Sequence, residues 1–486
     1  MLKSLALDAP VEKLYEEVVR LIRELIDCGT LRPGDRVPSV RQLGRQRQVS
    51  VSTVLQAYRI LESEGSIEAR PQSGYFVRPK LWTRPAEPEM SRPAKRPTEV
   101  KVSELSLRVM QMMEGTRDPD LVKFGAALPS PELLPSAALN RAMAAAGRRR
   151  SDAGNGYEIA PGNLPLRVQI ARRALEGGAV LSAQDLITTC GGTEALHLCL
   201  RAVAEPGDTI AIESPTFFGI LQCIESLGMK ALEIPTHPRD GVSLEALAFA
   251  LDSQPVKACL FIVNFNNPLG SCMPDENKKR LVEMLAEREI PLIEDDTYGE
   301  IAFSPNRPKT AKSFDREDWV LLCSSFSKTL APGYRVGWTA PGRFTKQVLH
   351  LKMVSTLANA TLPELAVADY LAMGGYEHHL RKLRKLYADK ASLMTQAISE
   401  YFPKETKVTR PSGGQVLWVQ LPKHVNSFDL FHRALKEKIS IAPGPIFSAK
   451  QKFENFIRLN YGNPWNGVIE GALRRLGRII GEMEES

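Results

Sequence analysis

The sequence predicts a two-part chain: an α/β body with a mostly parallel sheet, preceded by a small unit of three helices and two short strands. Three observations lead there. Apolar strand-like runs at 209–212, 258–265, 291–294 and 319–323 alternate with helical segments, of which 275–288 is the cleanest. Such alternation marks strands laid parallel through helical crossovers. Residues 1–78 show instead a helical period with closely spaced caps, followed by two strand-like pieces. Between them lies a stretch, 79–120, punctuated by Pro79, Pro85, Pro88, Pro93 and Pro97 among charges and small residues. At 486 residues the chain has room for two or three domains and a large core.

The net charge of +7 is unevenly spread. Residues 1–97 hold 17 Lys+Arg against 12 Asp+Glu, and the remainder holds 46 against 44. A polyanion partner is therefore expected at the N-terminal part. Seven cysteines without a C-x-x-C pair point to reduced thiols in a cytosolic compartment. No apolar run approaches the ~20 residues that span a bilayer, and no signal-peptide pattern opens the chain. The expected location is cytoplasmic, with no membrane partner.

In the first unit Val11, Leu14, Tyr15, Val18, Leu21, Ile22, Leu25 and Ile26 recur at helical spacing, and Gly29 with Pro33-Gly34 ends that helix. Ser39 caps a second helix to about Arg47, and Ser50 a third from Val51 to about Ser63. The turn Gln48-Val49-Ser50 is as tight as a helix-turn-helix requires. Gly65 stops the third helix, and 66–70 and 74–77, joined by Pro71-Gln72-Ser73, form a two-stranded wing. On pattern alone a small three-helix capping domain stays open. The line Leu31-Arg32-Pro33-Gly34-Asp35-Arg36-Val37-Pro38-Ser39, then Arg41-Gln42-Leu43 and the wing from Ala69 to Val77, carry a closer likeness. Over residues 10–78 the chain resembles the winged helix-turn-helix of the GntR transcription-regulator family. The resemblance implies a DNA-binding domain, residues 1–78, that takes a double-stranded operator. Its third helix would enter the major groove, while Gly74 lets the wing approach the minor groove. By position Arg41, Ser50, Ser52, Thr53 and Gln56 would face DNA, with Arg45 and Arg47 available for phosphates. Val51 stands where relatives often carry an arginine, so contact with a thymine methyl replaces a hydrogen bond there.

Residues 79–120 read as a semi-extended linker, too polar to bury itself, with a helical stretch at 103–114 where the next domain begins.

In the body, the run from Ser324 to Trp338 follows the apolar residues Trp319, Val320, Leu321 and Leu322. Ser325, Ser327 and Arg335 offer two hydroxyls and a guanidinium to one dianion, a phosphate-binding set. A lysine at a strand end is most often a solvated charge. Lys328, an amine beside a phosphate site, is what a pyridoxal phosphate Schiff base needs. Cys190-Gly191-Gly192-Thr193 passes from the strand-like 186–189 into a helix, leaving backbone N–H groups for a phosphate. Phe217, shortly after a strand, either stacks on a pyridine ring or packs as an ordinary core phenylalanine. Arg458 lies in the apolar run Phe456-Ile457-Arg458-Leu459-Asn460, where it needs a carboxylate partner.

The form S-x-S-K-x-x-x-P-G-x-R-x-G resembles the lysine motif of the type I, aspartate aminotransferase-like pyridoxal phosphate enzymes. Asn267-Pro268-Leu269-Gly270 and Asp295-Asp296-Thr297-Tyr298 extend the likeness, which runs from about Phe124 to the C-terminus. It implies that residues 121–486 adopt that fold, with large and small subdomains. Lys328 would then carry pyridoxal 5'-phosphate, Asp295 would pair with the pyridinium nitrogen, and Asn267 and Tyr298 would reach the ring hydroxyl. Gly192, Thr193, Ser325, Ser327 and Arg335 would hold the phosphate, with Phe217 on the ring. Arg458 is matched to the substrate α-carboxylate, an internal salt bridge being its other reading. Asp296 reads as a solvated neighbour. Tyr157, with Pro161-Gly162 and Leu166-Arg167, resembles the segment that reaches the phosphate of a neighbouring subunit, which implies a homodimer. Leu269 and Gly192-Thr193 depart from what most relatives carry, and neither touches the lysine, aspartate or arginine.

Taken together the two likenesses resemble the MocR/GabR-like subgroup of GntR regulators. The implied function is a transcription regulator that holds pyridoxal phosphate on Lys328 and senses an amino compound or the cofactor itself. A working aminotransferase with an accessory N-terminal domain is the other reading, because Lys328, Asp295, Tyr298 and Arg458 are all present. A structural DNA-binding protein with a vestigial body fits poorly with that intact set.

Overall fold

The computed structural model describes residues 14–27, 30–31, 34–71, 73–78, 84–93, 96–99, 118–149, 152 and 155–484. Val11, Gly29, Pro33, Gln72 and the helix expected at 103–114 lie outside the described residues. The chain divides into two compact units, 1–83 and 84–486.

In the first unit, helices α1 (Leu14–Asp27), α2 (Val40–Arg47) and α3 (Val51–Ser63) precede a hairpin of β1 (Ile67–Arg70) and β2 (Gly74–Val77). The caps explain the boundaries. Ser39 accepts a hydrogen bond from the Gln42 amide and Ser50 from the Thr53 amide, each satisfying an N–H that the helix leaves unpaired. Val54, Ala57, Tyr58 and Leu61 form the inward stripe of α3, packed against Val18, Val19 and Ile22 of α1 and against Leu43. Ile67 and Val77, opposite one another in the hairpin, close the same core. Tyr58, fully buried, donates its hydroxyl to the Pro38 carbonyl at 2.6 Å, so its polar end is satisfied.

Among the described residues the body carries a nine-stranded sheet. Its strands include β3 (Thr98–Glu99), β4 (Ile187–Cys190), β5 (Thr209–Ser214), β6 (Lys230–His237), β7 (Val256–Phe261), β8 (Leu292–Asp295), β9 (Val320–Ser325) and β10 (Val336–Ala340). Their spatial order is β3-β6-β5-β7-β8-β9-β10-β4. The pairs from β6 to β9 are parallel; β10 near one end and β3 at the other run against them, and β4, antiparallel to β10, returns to the common direction. Helices α4 (Gly191–Val203), α5 (Phe218–Ser226) and α6 (Asp275–Ala286) follow β4, β5 and the loop after β7. The expected helix 275–288 ends two residues early, and Glu289 turns left-handed at φ 54° before β8. The strand expected at 258–265 spans Val256–Phe261 instead, and Phe265 in the loop beyond it is left-handed at φ 55°. The parallel strands thus end together on one edge, where Asp295 and Ser325 close β8 and β9 and Asn267 and Lys328 follow β7 and β9.

A 27-residue helix, α7 (Gly375–Tyr401), leads to a second sheet. It consists of β11 (Lys407–Val408), β12 (Val416–Gln420), β13 (Ala442–Pro443) and β14 (Phe456–Asn460), in the order β11-β12-β14-β13 and antiparallel throughout. Leu473, Leu476 and Ile480 of α8 (Gly467–Glu484) pack into its core with Met394 and Ile398 of α7.

The expected free tether is not free where it enters the body. The Val408 amide donates to the Ala86 carbonyl at 2.8 Å, and β3 adds an edge strand to β6. The segment has few apolar side chains to bury. It docks through side-chain ion pairs and through main-chain hydrogen bonds, and an exposed sheet edge supplies the latter without regard to side-chain polarity.

Candidate functional site

Ten of the residues singled out in the sequence line one cavity: Gly192, Thr193, Phe217, Asn267, Asp295, Tyr298, Ser325, Ser327, Lys328 and Arg335. Leu196, Ile262 and Thr297 complete the lining and were not anticipated. Thr297 had a signal, since it lies between two anticipated residues. Leu196 and Ile262 had none, being apolar residues in apolar runs.

At one end of the cavity α4 begins. Gly191 sits at φ +78°, and a Cβ there would collide with the guanidinium of Arg335. Arg335, itself left-handed at φ 53°, donates through Nη2 to the Cys190 carbonyl at 3.1 Å. Ser325 accepts from the Ser327 amide at 3.4 Å. Hydroxyls, a guanidinium and a helix N-terminus therefore converge on one side, a set suited to a dianion.

Lys328 Nζ donates to the Ala127 carbonyl at 2.8 Å and lies 5.9 Å from the centre of the Tyr298 ring. The residue keeps partial exposure, yet the burial of its amine pulls the pKa down to about 8. Arg458 and Arg335 push the same way, and Asp295 opposes them. Asp295 is buried at the end of β8, and its Oδ1 accepts from Thr297 N at 3.0 Å and Oγ1 at 2.6 Å. Burial raises its pKa, with Asp296 adding and the Thr297 hydrogen bonds and Lys328 opposing. Tyr298 is held at its hydroxyl by Asn267 Nδ2 at 3.4 Å, and burial pushes its pKa up to about 12.

Asp296 departs from expectation. It is not solvated but buried, held by Arg307 Nη2 at 2.5 Å and Asn264 Nδ2 at 2.8 Å. Arg307 also meets Glu300, which in turn meets Arg173 and Arg384. Burial of the acid is possible because these cations are buried beside it.

Arg458 projects from β14, fully buried. Its Nη1 donates to Asn267 Oδ1 at 3.0 Å, its Nη2 to the Gly125 carbonyl, and its Nε has no hydrogen-bond partner. Among the described residues no carboxylate forms an ion pair with it, so the internal salt bridge is not seen. Burial lowers its pKa to about 10.

Tyr157 is 78% exposed and does not line the cavity of its own chain.

Residues 122–476 match the family described as aminotransferase class I and II, and residues 14–77 match the bacterial regulatory proteins of the gntR family. The chain belongs to the GntR-type transcription regulators with an aminotransferase-like domain. It is 40% identical over 470 residues to the uncharacterized HTH-type transcriptional regulator YdcR of Escherichia coli (strain K12), covering 97% of this chain and 99% of that one. To the uncharacterized HTH-type transcriptional regulator YjiR of the same organism it is 39% identical over 466 residues, 96% and 98% of the two chains. Among solved structures, LysN, the alpha-aminoadipate aminotransferase of Thermus thermophilus, superposes with a TM-score of 0.72 at 29% identity, over 79% of this chain and 98% of that one.

In this GntR-type regulator Arg41, Ser50, Ser52 and Gln56 are exposed on the first unit, and Thr53 is half-buried. Ser50 Oγ lies 2.7 Å from the hydroxyls of both Ser52 and Thr53, a cluster of three hydroxyls at the start of α3. Val51 beside them is 48% exposed, so its methyls are open to a partner. Gly74 sits at φ +99° in the wing, and a Cβ there would press on the Arg36 guanidinium at 3.3 Å. The hairpin itself therefore requires this glycine. No helix of the described residues is long and apolar enough to cross a membrane.

Proposed function

We propose that this protein is a cytoplasmic, DNA-binding transcription regulator whose body holds pyridoxal phosphate and senses an α-amino carboxylate or the cofactor itself. The observation that carries the ligand reading is Arg458. A fully buried guanidinium with an unpartnered Nε and, among the described residues, no carboxylate paired with it is costly, and a ligand carboxylate would compensate it.

The residues present fit the cofactor. Gly192, Thr193, Ser325, Ser327 and Arg335 would hold its phosphate, the Arg335 fork being seated by the missing Cβ of Gly191. Asp295 would face the ring nitrogen, Asn267 and Tyr298 the ring hydroxyl, and Phe217 the ring. When bound, the cofactor supplies an aldehyde carbon that condenses with amines and an electron-poor ring. The chain's own contribution is electrostatic. Burial and two neighbouring guanidiniums loosen the proton on the Lys328 amine, so the free, nucleophilic amine is reached at lower pH than an ordinary lysine allows. Tyr298 keeps its proton and can donate it in a hydrogen bond. Asp295, anchored by Thr297, presents its carboxyl group to the cavity. Tyr157, exposed outside its own cavity, supports a homodimer in which each copy reaches the phosphate site of the other.

Turnover is the second reading, favoured by the assembled set of Lys328, Asp295, Tyr298 and Arg458. Two measurements on one preparation separate the readings: steady-state transamination with a panel of amino donors, and affinity for a DNA fragment selected from a random-sequence pool. A regulator gives DNA binding that an amino acid shifts, with turnover slow or absent. Rapid turnover with DNA affinity indifferent to every amino acid would make the protein an enzyme first. Borohydride reduction should fix the cofactor on the peptide containing Lys328, and an adduct on another lysine would refute the site.

A further inference from the structure

The residues that enter the body from the first unit cross between its two sheets. On the small-sheet side, the Val408 amide of β11 donates to the Ala86 carbonyl at 2.8 Å, and Arg410 Nη2 donates to the Pro85 carbonyl at 3.1 Å. On the central-sheet side, Arg239, just past β6, donates to Glu87 Oε2 through Nε at 2.7 Å and also through Nη2. Ser91 Oγ donates to the carbonyl of Ser214, the last residue of β5, at 3.0 Å. The same Glu87 Oε2 lies 3.9 Å from Arg410 Nε. One carboxylate oxygen thus stands between a guanidinium from each sheet. Glu87 Oε1 is buried without a hydrogen-bond partner, so the side chain depends on those two arginines for its compensation.

The candidate ligand residues are divided along the same line. Lys328, Asp295 and Asn267 follow strands of the central sheet, whereas Arg458 projects from β14 of the small one. Arg458 lies two strands from the docked segment, since β14 pairs with β12 and β12 with β11. Ser214 stands three residues before Phe217. A ligand gripped by Arg458 at one end and at Lys328 by the other bonds both sheets at once and favours the spacing that satisfies both. We propose that residues 84–91 act as a strap that reads this spacing, with Glu87 as its fulcrum, and passes it to the DNA-binding unit directly preceding them in the chain. The inference rests on the proposed ligand site, and the ligand acts only by favouring one spacing over another.

The test uses the full-length protein loaded with pyridoxal phosphate, with Glu87→Gln and Arg410→Ala beside wild type. Glutamine keeps the shape of Glu87 and an acceptor oxygen, and in the Arg410 variant Arg239 keeps its direct hydrogen bonds to Glu87 while only an exposed partner at 3.9 Å is lost, so both variants should melt near wild type. The proteinogenic L-amino acids, added one at a time, are screened for a change in the cofactor spectrum, and the responding one is titrated. Affinity for the pool-selected DNA fragment is then measured with and without it. Wild type is expected to show a ligand-dependent change of about 5–150-fold, the ordinary range of allosteric coupling. Both variants should show less than a ~2-fold change while their spectral midpoints stay within ~2-fold of wild type, as loss of coupling without loss of binding requires. Variants that bind the amino acid and still relay it to DNA as wild type does would overturn the strap. If no amino acid changes the wild-type spectrum, the ligand reading fails and the strap, having nothing to relay, falls with it.

Discussion

Replacing Arg458 by methionine separates a ligand-binding arginine from a structural one, because the two differ in the sign of what is lost. Removing one partner of a buried structural ion pair leaves the other charge stranded and costs about 3–5 kcal/mol. Arg458 has no such partner. Its loss strands two acceptors instead, Asn267 Oδ1 and the Gly125 carbonyl, at roughly 1–3 kcal/mol each. Against that stands the relief of an uncompensated buried charge, worth several kcal/mol in the opposite direction. The net change in the ligand-free protein should lie within about 2 kcal/mol of zero, since the two terms are of similar size. Binding should respond far more. A bidentate, charge-assisted pair with a carboxylate contributes about 3 kcal/mol or more, so affinity for an amino acid should fall by ~100-fold or more. Stability is read by urea denaturation of the cofactor-free protein, and affinity by spectral titration after loading. A loss above ~3 kcal/mol with ligand affinity unchanged would mean that the arginine is structural.

Other outcomes follow from the same geometry. The Lys328 amine must be deprotonated to bond the cofactor aldehyde, and its pKa is pulled down to about 8, so cofactor uptake measured by stopped-flow absorbance should rise with pH and level off above about 8. Levelling only above about pH 10, the ordinary lysine range, would show an unperturbed amine. Gly191→Ala forces a side chain into the left-handed region, at about 1–2 kcal/mol, and displaces Arg335, so cofactor affinity should drop at least ~10-fold in a fluorescence titration with the fold retained. A fragment of residues 1–83, which keeps its own core, should bind DNA more weakly than the full chain, each neutralised phosphate contributing about −0.9 to the log–log salt slope. Absence of binding at low salt would remove the assignment of DNA contacts to Arg41, Ser50, Ser52, Thr53 and Gln56.

Much of this was legible because local chemistry marks its own boundaries. Ser39 and Ser50 read as caps in the sequence and act as caps in the fold, so α2 and α3 begin where expected. The phosphate side of the cavity was legible because Ser325, Ser327 and Arg335 lie within one short stretch. What was not legible depends on groups brought in from elsewhere. Nothing near Asp296 in the sequence announces that Arg307, with Glu300 and Arg384 behind it, will bury it. The reversed strand β10 is buried along its length like its parallel neighbours, and only pairing distinguishes it. The docking of residues 84–91 rests on backbone carbonyls and on ion pairs of Glu87 with arginines far off in the chain, which no local pattern reports.

The charges around the cavity bear on how a ligand would act there. Lys328 stands among two guanidiniums, Arg335 and Arg458, and one buried carboxylate, Asp295, and both guanidiniums lower the lysine's affinity for a proton. A dianion on Arg335 and a carboxylate on Arg458 would each cancel part of that field. The sign is then fixed by Coulomb's law: the Lys328 amine binds its proton more tightly as the anions arrive. On the proposed reading, a Lys328 amine set free beside neutralised guanidiniums is a better proton acceptor than the amine of the empty cavity. Arg458 would set that change from the small sheet, and Lys328 would feel it at the edge of the central one. Ligand recognition and the protonation of the lysine are coupled through the same guanidinium, and a ligand lacking a carboxylate would leave the Arg458 share of that field in place.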